Sequence, residues 1–418
     1  MTTLISNIKQ LVNVREESKL LRGNELAILP SVENAYLIIE DGIITEFGEM
    51  KNSNPDSYRD QTSNHKQTID ASDQMVLPCW CDSHTHLVFA ATREDEFVDK
   101  IKGMSYAEIA EKGGGILNSA RKLNAMSEDE LFNVSWKRLE EVSKLGTGAI
   151  EIKSGYGLTV DGELKMLRVI KKLKERSSLL VRSTFLGAHT YPLEYKEDHQ
   201  GYIDLIVDEM LPVIAKEKLA DYIDVFCETG FFSPQETETI CKAGIKSGLK
   251  PKIHANQLNF SGGVETGIKL GAVSVDHLET VNESVINQLA GSETIGALLP
   301  TAAFFLRMPF QLARQMIDSG CAIAIASDYN PGSSPSPNMN LVVAMSCIGM
   351  RMLPEEAINA ATINGAFAME LQNEVGSITV GKRANLIVTK PIPTLAYLPY
   401  SFGSNLIDKV IINGEIIN

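Results

Sequence analysis

From residue 75 to residue 328 the chain alternates short apolar runs with longer stretches of helical periodicity. There are eight runs, each about as long as a β-strand: MVLPCWCDSH, GAIEIKSG, LVRSTFLGAH, YIDVFCET, KPKIHANQ, AVSVDHLE, IGALLPT and CAIAIASD. The stretches between them, such as GELKMLRVIKKLKER and EDELFNVSWKRLEEVSKL, space their apolar residues as amphipathic helices do. Continuous apolar strands joined by helices are typical of a parallel sheet that is covered on both faces. Eight such units predict an α/β fold with a closed (β/α)₈ barrel of the TIM type.

Both ends of the chain have a different texture, in which short apolar runs alternate with turn formers. An Asp-Gly pair at 41–42 and an Asn-Gly pair at 413–414 are typical of tight β-hairpins. The similar ends are expected to pair with each other. We therefore predict a small composite β-sandwich domain from residues 1–76 and 372–418, and a barrel domain from residues 77–371.

A doubly wound open sheet is the alternative fold. Its glycine fingerprint is missing, because the glycine-rich stretch GGGILNS follows helix-like sequence rather than a strand. The loop that contains Gly115, residues 103–118, is either an ordinary connection or a mobile lid over an active site.

Composition and charge limit the partners. The net charge of −14 argues against nucleic acid and means that an anionic ligand must meet a local positive charge. The N-terminus reaches charged residues too early for a secretory signal, and no apolar stretch approaches the roughly 18 residues of a membrane span. The six cysteines lack the spacing of a disulfide framework, so buried reduced thiols are expected, and a metal pair at Cys79 and Cys81 is disfavoured. These features predict a cytoplasmic protein without a membrane partner.

Histidines collect at the ends of the predicted strands, where a barrel of this kind carries its functional residues. Five of the seven histidines lie there: His84, His86, His189, His254 and His277. His65 and His199 fall in polar loop sequence.

The spacing of His84 and His86 suits a metal site. Residues i and i+2 of an extended chain point to the same side about 6.6 Å apart, so both imidazoles can reach one ion. His254 and Asp328, which end the fifth and eighth runs, complete a set of three imidazoles and one carboxylate. That set suits one divalent metal ion, either Zn²⁺ or iron as Fe²⁺ or Fe³⁺, with a coordination position left for water. Zinc lowers the pKa of bound water from about 15.7 to about 7, which makes hydrolysis at neutral pH feasible.

Other polar residues also end the runs, and their roles stay open. Glu228 is either a carboxylate that orients a ligand histidine or a structural partner. Lys153 allows the alternative of a carbamylated lysine that bridges two metals, which we disfavour. Thr301 ends the seventh run.

The motifs DSHTH, HANQ, VDHLE and ASDYNPGS, on strands one, five, six and eight, resemble those of the amidohydrolase superfamily. Within it the chain is similar to the enzymes that open 4-imidazolone-5-propanoate to N-formimidoyl-L-glutamate in histidine degradation. HTHLVFAATR, EIKSGYGL, TFLGAHTYP, HANQL, VDHLE and SDYNPGS carry this resemblance, in the expected order and over nearly the whole chain. The resemblance implies a hydrolase that acts on a carbon–nitrogen bond of a cyclic amide.

The resemblance also implies roles for individual residues. The implied metal ligands are His84, His86, His254 and Asp328. The implied substrate contacts are Arg93, Tyr156, His189, Gln257, Asn330, Gly332 and Ser333. The expected catalytic residues are His277, Asp328 and His189. By hypothesis, either His277 or Asp328 takes a proton from the attacking water, and a donor such as His189 or His277 holds the oxyanion.

The chemistry of three residues agrees with these roles. Arg93 offers a forked positive charge to the propionate of a small anionic substrate, unless it only pairs with Glu94 or Glu96. Tyr156 lies between two glycines and can donate its hydroxyl in a cleft, unless it only packs in the core. Gln257 stands where zinc deaminases of the superfamily carry a proton-shuttling glutamate, and an amide cannot do that work.

Two alternatives remain from the sequence. The chain is another amidohydrolase that acts on a cyclic amide or amidine, such as a guanine deaminase, or it is a non-catalytic scaffold with the amidohydrolase fold. A homodimer is expected only from the general frequency of two-fold oligomers.

Overall fold

A computed structural model describes residues 1–52, 66–104, 108, 112 and 114–417. The strands, in chain order, are β1 (Thr2–Val12), β2 (Ser31–Glu40), β3 (Ile43–Glu49), β4 (Lys66–Asp70), β5 (Met75–Pro78), β6 (Trp80–Thr85), β7 (Thr147–Lys153), β8 (Leu180–Ala188), β9 (Tyr222–Cys227), β10 (Lys250–Ala255), β11 (Ser274–His277), β12 (Ile295–Leu298), β13 (Ile323–Ile325), β14 (Leu386–Thr389), β15 (Ile407–Ile412) and β16 (Glu415–Ile416).

The described helices surround these strands. The α-helices are α1 (Glu94–Ile101), α2 (Gly115–Ala125), α3 (Glu128–Lys144), α4 (Val160–Arg176), α5 (His199–Asp204), α6 (Leu211–Glu217), α7 (Pro234–Lys246), α8 (Gly263–Leu270), α9 (Glu283–Ala290), α10 (Pro300–Leu306), α11 (Ala313–Asp318), α12 (Met339–Ile348), α13 (Pro354–Ala361), α14 (Ile363–Ala368) and α15 (Tyr397–Tyr400). Short 3₁₀ turns lie at Gly23–Ala27, Met50–Asn52 and Leu193–Tyr195, and a π-helical turn at Leu205–Met210 joins α5 to α6. The two helices expected from the sequence, α3 and α4, are capped by Ser127 and Thr159, whose side chains accept backbone N–H groups of the first turn.

Strands β6 to β13 form one parallel sheet in which each strand pairs with its neighbour in the chain. Backbone hydrogen bonds between the end of β6 and the segment that follows β13 close the sheet. The N–H of Asp328 donates to the carbonyl of His84 at 3.0 Å, and the N–H of His86 donates to the carbonyl of Tyr329 at 2.9 Å. The predicted (β/α)₈ barrel is therefore confirmed, and it closes through the residues predicted to bind metal.

A second, mixed sheet combines both ends of the chain. Its order is β16-β15-β14-β5-β1-β2-β3, with β4 beside β1. The predicted hairpin turns are present, with φ of 49° and 82° at Asp41 and Gly42, and 50° and 81° at Asn413 and Gly414. The two turns touch, since a Cβ added to Gly42 would lie 2.6 Å from the Asn413 carbonyl. The prediction that both ends build one β-rich unit is confirmed.

The first apolar run does not form a single strand, contrary to the sequence analysis. Its MVLP part is β5, which pairs with β1 and β14 in the terminal sheet, and only WCDSHT enters the barrel. The chain changes sheets between two hydrogen bonds, from the Cys79 N–H to the Asn385 carbonyl and from the Trp80 N–H to the Gly146 carbonyl. An apolar run without a turn signal can thus serve two sheets in succession.

Three further expectations concern the loop at 103–118, membrane-spanning helices and the cysteines. The structure describes residues 103–104, 108, 112 and 114–118 of the predicted loop, where α2 already begins at Gly115, whereas His65 lies outside the described residues. Of the helices described, none is both long and apolar enough to cross a bilayer. All six cysteines are free thiols, and five of them are buried, as expected.

Candidate active site

A cavity of about 620 Å³ lies at the carboxyl ends of the barrel strands. This volume is in the range of small-molecule sites. Apart from His84, every residue that the sequence analysis placed in the site lines the cavity: His86, Arg93, Tyr156, His189, His254, Gln257, His277, Asp328, Asn330, Gly332 and Ser333. The residues share one compartment because parallel strands end at the same edge of a barrel.

A cluster of imidazoles and one carboxylate forms the floor of this cavity. Side-chain nitrogens of His84, His86 and His254 lie within 4.8 Å of one another, and ligand atoms of His84, His277 and Asp328 do the same. Asp328 Oδ1 lies 3.5 Å from His84 Nε2 and 3.7 Å from His86 Nε2. These residues are at most 3% exposed. The cluster has the composition of a metal site with nitrogen and oxygen ligands.

Carboxylates behind the cluster lie beside Nδ1 of two histidines. Asp276 Oδ2 lies 2.6 Å from His84 Nδ1, and Asp224 Oδ2 lies 2.9 Å from His254 Nδ1. The hydrogen bond to Asp276 retains the ring proton of His84 on Nδ1, so the lone pair of His84 Nε2 is directed into the cluster, whereas the Asp224–His254 contact is close in distance only. His84 Nε2 is buried and has no hydrogen-bond partner among the described residues. The donor set therefore fits a bound metal ion, which would satisfy this nitrogen.

Lys153 joins the two supporting carboxylates. Its Nζ lies 2.8 Å from Asp224 Oδ2, 3.4 Å from Asp276 Oδ2 and 2.7 Å from Glu151 Oε1, and all four side chains are fully buried. The opposite charges outweigh the burial that would otherwise lower its pKa, and the pKa of Lys153 lies above the usual range. A charged ammonium with three carboxylate partners is not free to carry a carbamate, which argues against the binuclear alternative.

Burial determines the protonation of the cluster. Burial, and then the neighbouring Lys153 for His84 and His189 for His86, holds the pKa of both imidazoles well below the ordinary value. Burial raises the pKa of Asp328 to about 6, against the influence of His277 and His254. His84 and His86 are thus neutral, which is the form that binds metal.

The backbone at the cluster is strained. His277 and Asp328 have φ of 90° and 52°, in the left-handed region that non-glycine residues seldom adopt. Such residues each cost about 1–3 kcal/mol and persist where the surrounding structure holds them. Asp328 is held by its N–H bond to the His84 carbonyl and by the hydroxyl of Ser333, 3.2 Å from Oδ2.

Two cationic side chains line the other end of the cavity. Arg93 precedes α1, and its Nε donates to Ser119 Oγ at 2.9 Å. It forms no ion pair with Glu94 or Glu96, the alternative from the sequence, among the described residues. Lys100, which the sequence analysis missed, lines the cavity as well, with its Nζ 3.4 Å from the Gly332 carbonyl. An anionic group can therefore be bound at this end.

Tyr156 extends into the cavity from the loop after β7. It is 4% exposed, and its ring centre lies 5.8 Å from the Arg93 guanidinium carbon. Burial raises the pKa of its hydroxyl, despite the nearby Arg93, so the group is a neutral donor. Packing alone, the alternative from the sequence, does not account for a side chain that lines the cavity.

The nitrogen that His189 presents to the cavity is a hydrogen-bond acceptor, whereas a donor was expected. Its Nδ1 lies 3.0 Å from the carbonyl of Gly155, which can only accept, so the ring proton is on Nδ1. Burial and the nearby His254 lower the pKa of His189 to about 3, so the ring is neutral. Its Nε2 therefore presents a lone pair and accepts a hydrogen bond. The expectation that His189 donates to an oxyanion does not fit this arrangement.

The loop after Asp328 satisfies most of its own polar groups. The N–H groups of Gly332 and Ser333 both donate to Asn330 Oδ1 at 2.8 Å, and Asn330 Nδ2 donates to the Asp328 carbonyl at 2.6 Å. An Asx turn thus uses the backbone N–H groups of Gly332 and Ser333, two of the implied substrate contacts. Gly332 instead allows close approach, since a Cβ there would lie 2.7 Å from Arg93 Nη1.

Two strand-end residues have structural roles. The Glu228 carboxylate accepts the N–H groups of Leu258 and Asn259, at 2.8 and 3.3 Å. It holds the loop that carries Gln257 and does not orient a ligand histidine, which settles the alternative left open above. The Thr301 hydroxyl donates to the Ser327 carbonyl at 2.7 Å and does not line the cavity.

Sequence reasoning missed three groups of residues. Two charged side chains of α1, Glu96 and Lys100, line the cavity. Apolar side chains complete its wall: Ile116, Phe226, Phe231, Leu258, Leu306 and Met308. Nothing in the sequence distinguishes these apolar residues from core residues. The carboxylates Asp224 and Asp276 could have been found, because they are charged residues within apolar strands.

Comparison with known proteins agrees with this geometry. The Amidohydrolase family profile matches residues 218–417. The chain is 58% identical to the imidazolonepropionase of Flavobacterium johnsoniae over 418 residues, 100% of both chains. It is 57% identical to the imidazolonepropionase of Flavobacterium psychrophilum, again over 100% of both chains. The chain belongs to the imidazolonepropionase family.

A solved structure of Escherichia coli guanine deaminase is similar in fold, with a TM-score of 0.76 at 13% identity over 100% of this chain and 99% of that one. At this identity the likeness concerns the fold alone. As a member of the imidazolonepropionase family, the chain is a hydrolase acting on carbon–nitrogen bonds, in a metal-dependent superfamily. This assignment disfavours the non-catalytic scaffold.

Proposed function

We propose that the chain hydrolyses 4-imidazolone-5-propanoate to N-formimidoyl-L-glutamate. One observation carries the proposal: a single cavity joins a buried cluster of three imidazoles and a carboxylate to a cationic end. The substrate has the matching polarity, with a hydrolysable ring at one end and a propionate at the other. The full-length likeness to imidazolonepropionases supports the same reaction.

We infer that His84, His86, His254 and Asp328 hold one metal ion, either Zn²⁺ or iron. When bound, such an ion acts as a Lewis acid and lowers the pKa of water to about 7. Asp276 supports His84 by fixing its tautomer, and Asp224 lies beside Nδ1 of His254. Both metals accept this ligand set, so elemental analysis must distinguish them.

Protein groups manage the proton of the attacking water. Water adds to the ring carbonyl carbon, and its proton passes to Asp328 or His277. The same proton is delivered to the ring nitrogen as the carbon–nitrogen bond breaks, which leaves the open formimidoyl product. Glu279 lies 3.5 Å from Nδ1 of His277 and stabilises the imidazolium form of that residue.

Four side chains orient the substrate. Arg93, with Lys100 nearby, binds the propionate, and Tyr156 donates its hydroxyl. Gln257 faces the same cavity and can hold the ring through its amide. His189 accepts a hydrogen bond from a ring N–H through Nε2, since its Nδ1 proton is committed to Gly155.

The test is a turnover assay that follows the loss of imidazolone absorbance, with metal content measured on the same sample. His254→Ala should lose both metal and turnover, whereas His199→Ala, a surface histidine outside the cavity, should keep both. Ammonia release from guanine without imidazolone turnover would instead support the deaminase alternative. Full activity in the metal-free His254→Ala variant would refute the proposed site.

We also propose the division into a composite domain (1–76 and 372–418) and a barrel (77–371), although β5 spans the first boundary. Limited proteolysis tests it. The homodimer and the cytoplasmic location stay predictions, which light scattering and cell fractionation would test.

A further inference from the structure

A buried carboxylate lies beneath the loop that carries Tyr156. Glu163, on the first turn of α4, is 0% exposed. Its Oε1 accepts the N–H groups of Gly157 at 2.6 Å and Leu158 at 3.0 Å, and its Oε2 accepts the N–H of Gly155 at 3.0 Å. One side chain thus satisfies three backbone donors in four consecutive residues. We refer to residues 154–158 as the Tyr156 loop.

Every partner of this carboxylate is a donor, which fits the ionised form. Hydrogen bonds from neutral donors to a charged group are worth about 1.5–3 kcal/mol each. Burial raises the pKa of Glu163. The hydrogen bonds from the Ser154 hydroxyl and from the loop N–H groups act in the opposite direction and lower it in part. A neutral amide at this position would direct an NH₂ group toward a backbone N–H.

The Tyr156 loop cannot hold its shape by backbone preference alone. Gly155 and Leu158 have φ of +110° and 53°, and the second value is unfavourable for a leucine. There is no spare room either, because a Cβ on Gly157 would lie 2.3 Å from the backbone N of Glu163. The loop is therefore pressed onto the start of α4 and depends on the carboxylate for its hydrogen bonds.

Two substrate-facing residues depend on this loop. Tyr156 lies between Gly155 and Gly157, whose N–H groups both bond to Glu163. The Gly155 carbonyl in turn accepts the Nδ1 proton of His189 at 3.0 Å and so fixes its tautomer. A second support comes from Asn124 of α2, whose amide donates to the Gly157 carbonyl at 2.9 Å.

We propose that Glu163 is a positioning residue for catalysis: by holding the Tyr156 loop, it sets the place of the Tyr156 hydroxyl and the tautomer of His189. The inference rests on the proposed function for its kinetic consequence. It does not involve the metal, since Glu163 contacts none of the four inferred ligands.

Glu163→Gln tests the proposal, because the amide keeps the shape but cannot accept all three N–H groups. We expect amides of residues 154–158 to exchange with solvent faster in the holoenzyme, and the metal content to stay unchanged. Displacement of substrate-positioning groups by about 1 Å can lower rates by the order of 10²-fold, so kcat/KM should fall by about that factor. The ¹⁵N shifts of the His189 ring should move away from a pure Nδ1–H tautomer.

The matched control is Glu356→Gln. Glu356 is also buried and accepts a backbone N–H at a helix start, from Leu353 at 2.7 Å, but it lies outside the cavity. It should lose stability without a change in kcat or KM. If Glu163→Gln does not fold, Asn124→Ala decides, because Asn124 is exposed and holds the same loop.

Unchanged exchange in the Tyr156 loop, or wild-type kcat and KM beside faster exchange, overturns the positioning role. Loss of metal from the Glu163→Gln protein would also overturn the positioning role. The exchange and NMR measurements need no substrate, so they test the loop contacts even if wild-type protein does not turn over imidazolone propionate. That last result would count against the proposed function.

Discussion

Among the described residues, Lys153 is the only cation that contacts both Asp224 and Asp276, the two carboxylates behind the histidine cluster, and Lys153→Met removes it. The ammonium lies 2.7 Å from Glu151, 2.8 Å from Asp224 and 3.4 Å from Asp276, at 0% exposure. Glu151 keeps a second partner, Lys252. The two aspartates lose their only lysine, and breaking a buried pair in this way costs about 3–5 kcal/mol. Against a typical total of about 5–15 kcal/mol, the loss should be plain in denaturant unfolding.

The assay is urea unfolding of chelated protein followed by circular dichroism, so that lost metal binding does not contribute. Lys172→Met is the matched control, because its ammonium lies 2.7 Å from Glu128 but is 42% exposed. An exposed pair at the same distance should contribute less than about 1 kcal/mol. With metal present, Lys153→Met should also weaken metal binding by about 10–100-fold, through the loosened histidines. Losses below about 1 kcal/mol in both variants would refute the reasoning.

Three further predictions concern other parts of the chain. Arg93→Met should raise KM for the propionate substrate by a factor equivalent to about 2–5 kcal/mol with little change in kcat, and Arg93→Lys should lie between; equal KM values would contradict carboxylate binding there. Burial lowers the pKa of Lys382 to about 8, so between pH 8 and about 10.4 this side chain binds more protons in the unfolded than in the folded chain, and its contribution to stability rises with pH. Lys382→Met should remove that contribution, so the change in unfolding free energy from pH 7.5 to pH 10 should be less favourable in the variant than in the wild type, and an identical pH slope in both proteins would count against it. Chelation should abolish turnover and lower the melting temperature, and added Zn²⁺ or Fe²⁺ should restore both; a melting temperature insensitive to chelator would argue that the cluster binds no metal.

The position of the site was predictable because strand ends are a local property of the sequence. Each apolar run ends where its polar terminator begins, and a closed parallel barrel brings all the ends to one rim. His84, His254 and Asp328 could therefore be grouped although they are far apart in the chain. Arg93 depended on the family resemblance, since its distance from the histidines alone did not indicate what it faces.

Orientation within the site was not predictable from the same signals. His189 was placed at the correct strand end but given the wrong polarity, because the group that fixes its tautomer is a backbone carbonyl in another loop. Gly332 and Ser333 were implied as substrate contacts, but their backbone N–H groups both donate to Asn330, two residues upstream of the first. A backbone group leaves no mark in a side-chain pattern, so hydrogen-bond direction requires the folded chain.

The buried charges of the barrel were predictable in position but not in their partners. Glu151 and Lys153 lie two residues apart on β7, so the pattern already indicates that they share a face. Asp224 is on β9 and Asp276 is on β11. Strand β7 pairs with β6 and β8, so neither β9 nor β11 is its neighbour in the sheet. Their contact with Lys153 therefore runs across the barrel interior rather than along a ladder. A charge within an apolar barrel strand predicts an inward-facing ionic partner, but only the closed barrel determines which strand supplies it.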